Sequence, residues 1–385
     1  MPLALYPLAL AVFAMGTSEF MLAGLVPDLA PELDVTVGTA GTLTSAFAIG
    51  MMVGAPFVAG LTRAWRRRPS LFGFVLLFMA AHAVAATTSS FTVLFATRVV
   101  AALANAGFLA TALTAAVDLV PRGRRGRAVA VLLSGTTLAM VAGVPGGAVV
   151  GALLGWRATF WAVAALCVPA ALGVLAGLPP GRGEARGAEG PSLRDEIALL
   201  ARPRLLVAML LGALVNAATF AGLTFLAPVV TEAAGLGELW VPVALVLFGV
   251  GSFAGVTAAG RLSDRRPGRV VAVGGPLLLA GWASLAVFAD EPVALLILVC
   301  LQGVLSFGVG SMLITRVLYE AAGAPTMAGA YATAALNTGA VTGPLVAAAA
   351  LGTAAGPLGP FWVGAALVAL ALLVTACAAG SVRAP

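Results

Sequence analysis

Two ionisable side chains sit where a polypeptide rarely tolerates them. Glu19 lies inside an apolar opening span, Leu3 to roughly Pro27, and Arg98 lies as deep in a later apolar segment. Placing a charge in a bilayer costs at least ~2.5–3.5 kcal/mol on insertion scales, so such residues face a partner or a wet cavity. One buried acid with one buried base is chemistry for proton exchange or for ligand binding. The other reactive side chains offer less. His82 is the only histidine, so a His-based triad or a zinc site has no material and no metal is expected; it reads as a packed or capping residue. Cys167, Cys300 and Cys377 fall within apolar spans, without CxxC or Cys/His spacing, and read as small hydrophobes.

The elements that must position these residues follow from composition. The chain has 385 residues, 61% hydrophobic and 9% charged, with a mean hydropathy of +1.07. A soluble domain cannot hide that much apolar surface, whereas lipid covers it. The 47 glycines and 23 prolines then serve close packing and kinks, as they do in membrane helices. The expected class is an all-α, multi-pass protein of a bacterial plasma membrane. Every one of the 21 basic residues is Arg, which excludes a Walker A lysine and with it a P-loop ATPase. The isoelectric point near 10.2 hints at nucleic acid, but these Arg residues are spread over short loops, which the membrane explains better. The N-terminus has no basic region ahead of its apolar run, so no cleavable signal peptide is expected.

Each crossing needs about 20 residues. Charges and Gly/Pro clusters then mark twelve expected spans, approximately 3–27, 39–61, 69–87, 91–117, 127–150, 158–178, 204–230, 239–260, 270–289, 292–316, 325–350 and 358–380. Arg residues follow the even-numbered spans, whereas Asp28, Glu32, Asp34, Glu232, Glu238, Asp290 and Glu291 occupy the opposite loops with only Arg157 against them. By the positive-inside rule both termini are cytoplasmic. The longest connection is rich in Gly, Arg and Glu and divides the spans six and six. The expected organisation is an N-terminal six-helix bundle over 1–178, a cytoplasmic linker over 179–203 with a short amphipathic piece from Leu193 to Leu200, and a C-terminal six-helix bundle over 204–385. The halves echo each other at an offset near 200 residues, as Gly60-Leu-Thr-Arg63 and Gly260-Arg-Leu-Ser-Asp-Arg265 illustrate.

The fifth span carries Gly135, Ala139, Gly143, Gly147, Gly151 and Gly155, a small residue every four positions. On a helix this is a groove that admits a neighbouring backbone. Pro145 within it removes one hydrogen bond and should bend the helix.

On these residues the chain resembles the major facilitator superfamily, specifically its twelve-span drug:proton antiporter branch. Gly143-Val-Pro-Gly-Gly147 matches the antiporter motif, followed by Gly155-Trp-Arg-Ala-Thr-Phe160. Gly16-Thr-Ser-Glu-Phe-Met-Leu-Ala-Gly-Leu-Val-Pro27 matches the first-span signature, and Arg98 with Gly107 fits the fourth-span motif, whose Arg the family links to proton transfer. The loop motif is good in its second copy, Gly260 to Arg269 with Asp264 and Arg265. In the first copy Arg63 stands where the family has Asp. More narrowly, Ala104-Asn-Ala-Gly-Phe108, Leu132-Leu-Ser-Gly-Thr-Thr137, Ala213-Leu-Val-Asn-Ala-Ala-Thr-Phe220 and the stretch from Leu313 to Gly329 look like actinobacterial chloramphenicol-resistance exporters.

The resemblance implies two pseudo-symmetric six-helix bundles with spans 1 and 4 against a central cavity. Glu19 lies eight residues inside Pro27 and Arg98 seven residues beyond Phe91, depths of about 12 Å and about 10 Å at the helical rise. The two are therefore expected to meet, Glu19 carrying the proton and Arg98 tuning it; a static buried ion pair is the alternative. Drug contacts are expected from Phe20, Asn105, Asn216, Thr219, Phe220 and Gln302, with Tyr331 and Asn337 on span 11 as weaker candidates; each can equally be a packing residue. Gly143, Pro145, Gly147, Gly151, Gly260, Asp264, Arg265 and Arg269 form the expected conformational motifs. The resemblance implies a monomer that binds a small-molecule substrate and protons, lies in the lipid bilayer, uses no cofactor beyond the proton-motive force and has no nucleic-acid partner. A same-fold exporter of a sugar or another metabolite is the nearest rival. A passive channel or non-transporting sensor is another, and no residue cluster supports an enzyme.

Overall fold

The computed structural model describes residues 1–35, 37–62, 65–178, 192–237, 239–263 and 267–381. Helices dominate because in lipid every backbone N–H and C=O must be satisfied within its own segment. In chain order they are α1 (Leu5–Glu32), α2 (Val37–Leu61), α3 (Arg67–Thr87), α4 (Phe91–Asp118), α5 (Arg125–Leu138), α6 (Val144–Leu154), α7 (Trp156–Gly177), α8 (Leu193–Ala198) and α9 (Pro203–Thr224). They continue with α10 (Leu226–Pro228), α11 (Trp240–Ser263), α12 (Pro267–Val287), α13 (Pro292–Glu320), α14 (Ala328–Leu351) and α15 (Gly359–Ser381). Among the described residues nine helical segments are long and apolar enough to cross a membrane, with shorter apolar stretches at Ala46–Leu61 and Ala272–Val287. Large apolar side chains such as Phe57, Leu172, Leu345 and Leu373 are exposed, an arrangement that lipid stabilises and water does not.

Local chemistry explains where helices start, stop and distort. Pro203 and Pro292 open α9 and α13, where the missing N–H costs nothing. Gly155 separates α6 from α7 with a φ of 82°, a conformation that a side chain would strain. Between α5 and α6 a π turn spans Ala139–Gly143. It lies directly ahead of Pro145, and its shifted hydrogen-bond register absorbs the donor that Pro145 lacks. The first helix outruns its expected end at Pro27 and continues to Glu32. There Glu32 pairs with Arg157 at the start of α7, and Arg157 also donates to the Thr88 carbonyl at 3.3 Å. The hydrogen bond from Arg157 holds the Glu32 carboxyl below the usual carboxylate range. This staple is therefore intact at neutral pH and is lost as pH falls through that lowered value.

Packing separates two units. The first comprises Met1–Arg122, Val131–Ile197 and Gly323–Ala334. In it α1 packs on α2, α6 and α7, and α3 on α4 and α7. The second comprises Gly123–Ala130, Ala198–Ala322 and Ala335–Pro385, with α11 against α13, α9 against α15, and α12 against α13 and α15. Glycines set how close these helices come. A Cβ on Gly251 or Gly255 of α11 would strike the Cys300 or Val304 carbonyl of α13, and one on Gly339 or Gly343 of α14 would strike the Ala213 or Ala217 carbonyl of α9.

Candidate functional site

Arg98, 1% exposed, is delivered by α4 into a pocket that neighbouring helices complete. Its Nη1 donates to Ser18 Oγ at 2.8 Å and its Nη2 to the Ser18 carbonyl at 3.2 Å, both on α1. From α2 the Phe47 ring lies under the guanidinium, 4.4 Å from its centroid, an attraction that strengthens when water is excluded. The Arg98 Nε makes no hydrogen bond. From α3 the His82 Nε2 stands 2.6 Å from Ser18 Oγ, and its Nδ1 lies 2.8 Å from the Phe78 carbonyl. A carbonyl only accepts, so Nδ1 carries the hydrogen, and the pattern is that of a neutral imidazole whose Nε2 accepts from Ser18. The ring stacks on Phe78 at 4.2 Å and leans on Phe160 of α7 at 5.6 Å.

Glu19 follows Ser18 on α1 and stays partly exposed. The structure brings it close enough to Arg98 for the two charges to interact, without a direct contact between them. Among the described residues the ion pairs are Arg67–Asp118 and Arg157–Glu32, both away from this site. The Arg98 guanidinium thus spends its hydrogen bonds on Ser18, and the carboxylate beside it remains uncommitted.

The neighbouring face of α1 carries the partner of the small-residue stripe. A Cβ on Gly135 would meet Ala9 and Phe13; on Gly143, Thr17; on Gly147, Met21; and on Gly151, Leu25. These α1 residues recur every four positions, so one helix row lies along the other. The helix that holds Glu19 and Ser18 is therefore seated in the glycine groove of α5 and α6.

The other expected contacts are scattered and mostly occupied. Asn105 is buried on α4. Asn216 Nδ2 donates to the Leu336 carbonyl of α14 at 2.7 Å, and Thr219 Oγ1 to the Val215 carbonyl of its own helix at 2.8 Å. Gln302 Nε2 donates to the Leu278 carbonyl at 3.3 Å, while its Oε1 is buried without a partner. Phe220 is half-buried and Asn337 buried. The side chains of Phe20 and Arg269, and residues Arg63, Asp264 and Arg265, lie outside the described residues, as does most of the linker. Among the described residues no group of His, Cys, Asp and Glu could hold a metal ion.

A profile of the Major Facilitator Superfamily matches residues 8–335. The chain belongs to that superfamily. It is 72% identical over 374 residues to a chloramphenicol resistance protein of Streptomyces lividans, covering 97% of this chain and 95% of that one. It is 32% identical to the inner membrane transport protein YdhP of Escherichia coli strain K12, covering 96% and 94%. Among solved structures, the superfamily transporter FucP in its outward conformation superposes with a TM-score of 0.76 at 15% identity, covering 97% of both chains; this shows the fold. The chain is thus a multi-pass plasma-membrane transporter of small molecules and not an enzyme.

Two features of this transporter escape its sequence pattern. His82 and Ser18 sit in apolar surroundings where nothing in the spacing points one at the other. Glu196 on α8, in the amphipathic piece of the expected cytoplasmic linker, is 1% exposed. Its Oε2 accepts the Thr326 and Met327 N–H groups at 2.9 Å, in the turn just ahead of α14, and the Tyr331 hydroxyl donates to the Glu196 carbonyl at 2.9 Å. Tyr331, an expected drug contact, is engaged by the linker helix. The acidic first turn of α8 was the one available signal.

Proposed function

We propose that this chain exports chloramphenicol by alternating access in exchange for protons, and so confers resistance to the drug. The observation that carries the reading is the 72% identity, over almost the whole chain, to a chloramphenicol resistance protein. The driving ion follows from site chemistry. Glu19 is an acid in a membrane helix that no ion pair locks, beside an Arg that neighbouring groups hold. Such a carboxyl takes a proton on one side and yields it on the other, with no cofactor beyond the proton-motive force. Moving one charge through ~100 mV yields about 2.3 kcal/mol, so a force of ~150 mV sustains a drug gradient of roughly a few hundred-fold for one proton.

The same reading takes the chain as a monomer with twelve spans, two six-helix bundles over 1–178 and 204–385, and cytoplasmic ends. The 28-residue α1 and the apolar stretches of α2 and α12 support that count when added to the nine clear crossings. Drug contacts are drawn from Phe20, Asn105, Asn216, Thr219, Phe220, Gln302 and Asn337, and the motifs around Gly143–Gly151 and Gly260–Arg269 carry the conformational change.

The test is accumulation of labelled chloramphenicol in sensitive bacteria that express the chain, before and after a protonophore. Low accumulation that rises to the vector control on uncoupling supports proton-driven export. Accumulation equal to the control throughout, with the protein present in the membrane, overturns the substrate. Low accumulation that ignores the protonophore overturns the coupling ion.

A further inference from the structure

We propose that Ser18 and His82 are positioning residues for transport, which hold the Arg98 guanidinium off the Glu19 carboxylate. The inference rests on the proton-antiport reading above and assigns work to two residues that reading does not use.

The geometry orders every hydrogen in the chain of contacts. The Phe78 carbonyl takes the His82 Nδ1 hydrogen, which leaves His82 Nε2 as an acceptor. That acceptor takes the Ser18 hydroxyl hydrogen at 2.6 Å. Both Ser18 lone pairs are then free of competition, and Arg98 Nη1 fills one at 2.8 Å while Nη2 takes the Ser18 carbonyl. Without His82 the hydroxyl is free to turn its hydrogen elsewhere, since a serine rotor follows the nearest acceptor. The stack of His82 between Phe78 and Phe160 fixes the ring, and Phe47 fixes the guanidinium from its other side. The charged group beside the ring is Arg98 from α4, and Glu19 of α1 interacts with that Arg; α7 meets the ring with Phe160.

The consequence concerns Glu19. An Arg in direct contact with a carboxylate favours its charged form and resists protonation. A guanidinium tied to Ser18 attracts the carboxylate from a distance without closing a fixed pair. Releasing that tie lets Arg98 swing one residue along α1 onto Glu19, and proton uptake then requires a more acidic medium.

The experiment measures drug-driven proton flux against pH in proteoliposomes of the full chain. The variants are Ser18→Ala and His82→Phe, with Ser18→Thr and His82→Gln as their conservative counterparts. His82→Phe keeps a ring against Phe78 and Phe160 while deleting the acceptor, so it remains informative if Ser18→Ala does not fold. The expected result is an acid shift of the profile by about one pH unit for the disruptive pair, and a return to the wild-type profile for Thr and Gln. Ser18→Ala or His82→Phe recovered monodisperse with an unmoved profile overturns the positioning role alone, provided the wild-type protein is proton-coupled. Wild-type export that ignores the proton gradient overturns the antiport reading and this inference with it.

Discussion

Arg98 is held by hydrogen bonds and a ring face rather than by an opposite charge, so its shape matters as much as its sign. A lysine keeps the charge but loses the fork that reaches Ser18 twice and the plane that lies on Phe47. One charge-assisted hydrogen bond contributes about 1.5–3 kcal/mol. Arg98→Lys should therefore slow drug export about tenfold or more at normal membrane abundance, measured as initial efflux rate from loaded cells. Glu19→Gln separates coupling from binding: uphill export should disappear, while exchange of labelled for unlabelled drug without a gradient persists. Uphill export at the normal rate in Glu19→Gln would remove Glu19 from the proton path. Both residues were legible, because a charge in an apolar run needs only the sequence to be noticed. Ser18 and His82 were not, because their contact depends on how α1, α3 and α4 are rotated about their axes. Hydropathy, which is high all round a lipid-embedded helix, carries no record of that rotation.

At the scale of elements, the groove of α5 and α6 could be read from its four-residue spacing, but its occupant could not. Small residues announce that something comes close without saying what. The structure supplies α1, and supplies equivalent crossings elsewhere that isolate the effect. On α13 a Cβ at Gly303 would strike the Phe248 carbonyl of α11, whereas at Gly310 it meets nothing within 4 Å. The same substitution on the same helix therefore has two outcomes. Gly303→Ala should destabilise the protein by about 1–3 kcal/mol through overpacking against backbone that cannot yield. Gly310→Ala should fall within about 0.5 kcal/mol of the parent. Thermal unfolding of the detergent-solubilised variants checks both, and equal melting temperatures would mean that the crossing relaxes more easily than its geometry implies. The linker shows the opposite kind of surprise. Glu196 belongs to the expected linker, and it is buried where its Oε2 accepts the N–H groups of the turn leading into α14, because buried backbone donors need acceptors.

At the scale of the molecule, charge rather than packing carries the orientation. Hydropathy reports which stretches meet lipid, and so it gave no warning that Gly123–Ala130 groups with the second unit or Gly323–Ala334 with the first. Charge reports which loops stay in the cytoplasm, because Arg near a helix end resists translocation while Asp and Glu have little effect. On the proposed twelve spans, nineteen of the 21 Arg residues fall in even-numbered connections and at the C-terminus, leaving Arg98 within a span and Arg157 on the opposite side. On a background with Cys167, Cys300 and Cys377 replaced, three single cysteines test the resulting topology. Asp34→Cys should react with a membrane-impermeant maleimide in intact cells, and Gly123→Cys and Ala384→Cys only after permeabilisation. Asp34 and Gly123 are separated by three expected crossings, so labelling of both from outside would break the assignment of spans 2 to 4. Ala384 follows all twelve, so its labelling in intact cells, with Gly123 still protected, would mean that an odd number of the eight expected spans between them does not cross. The reverse of the whole pattern would invert the protein, and with it the side from which Glu19 takes its proton.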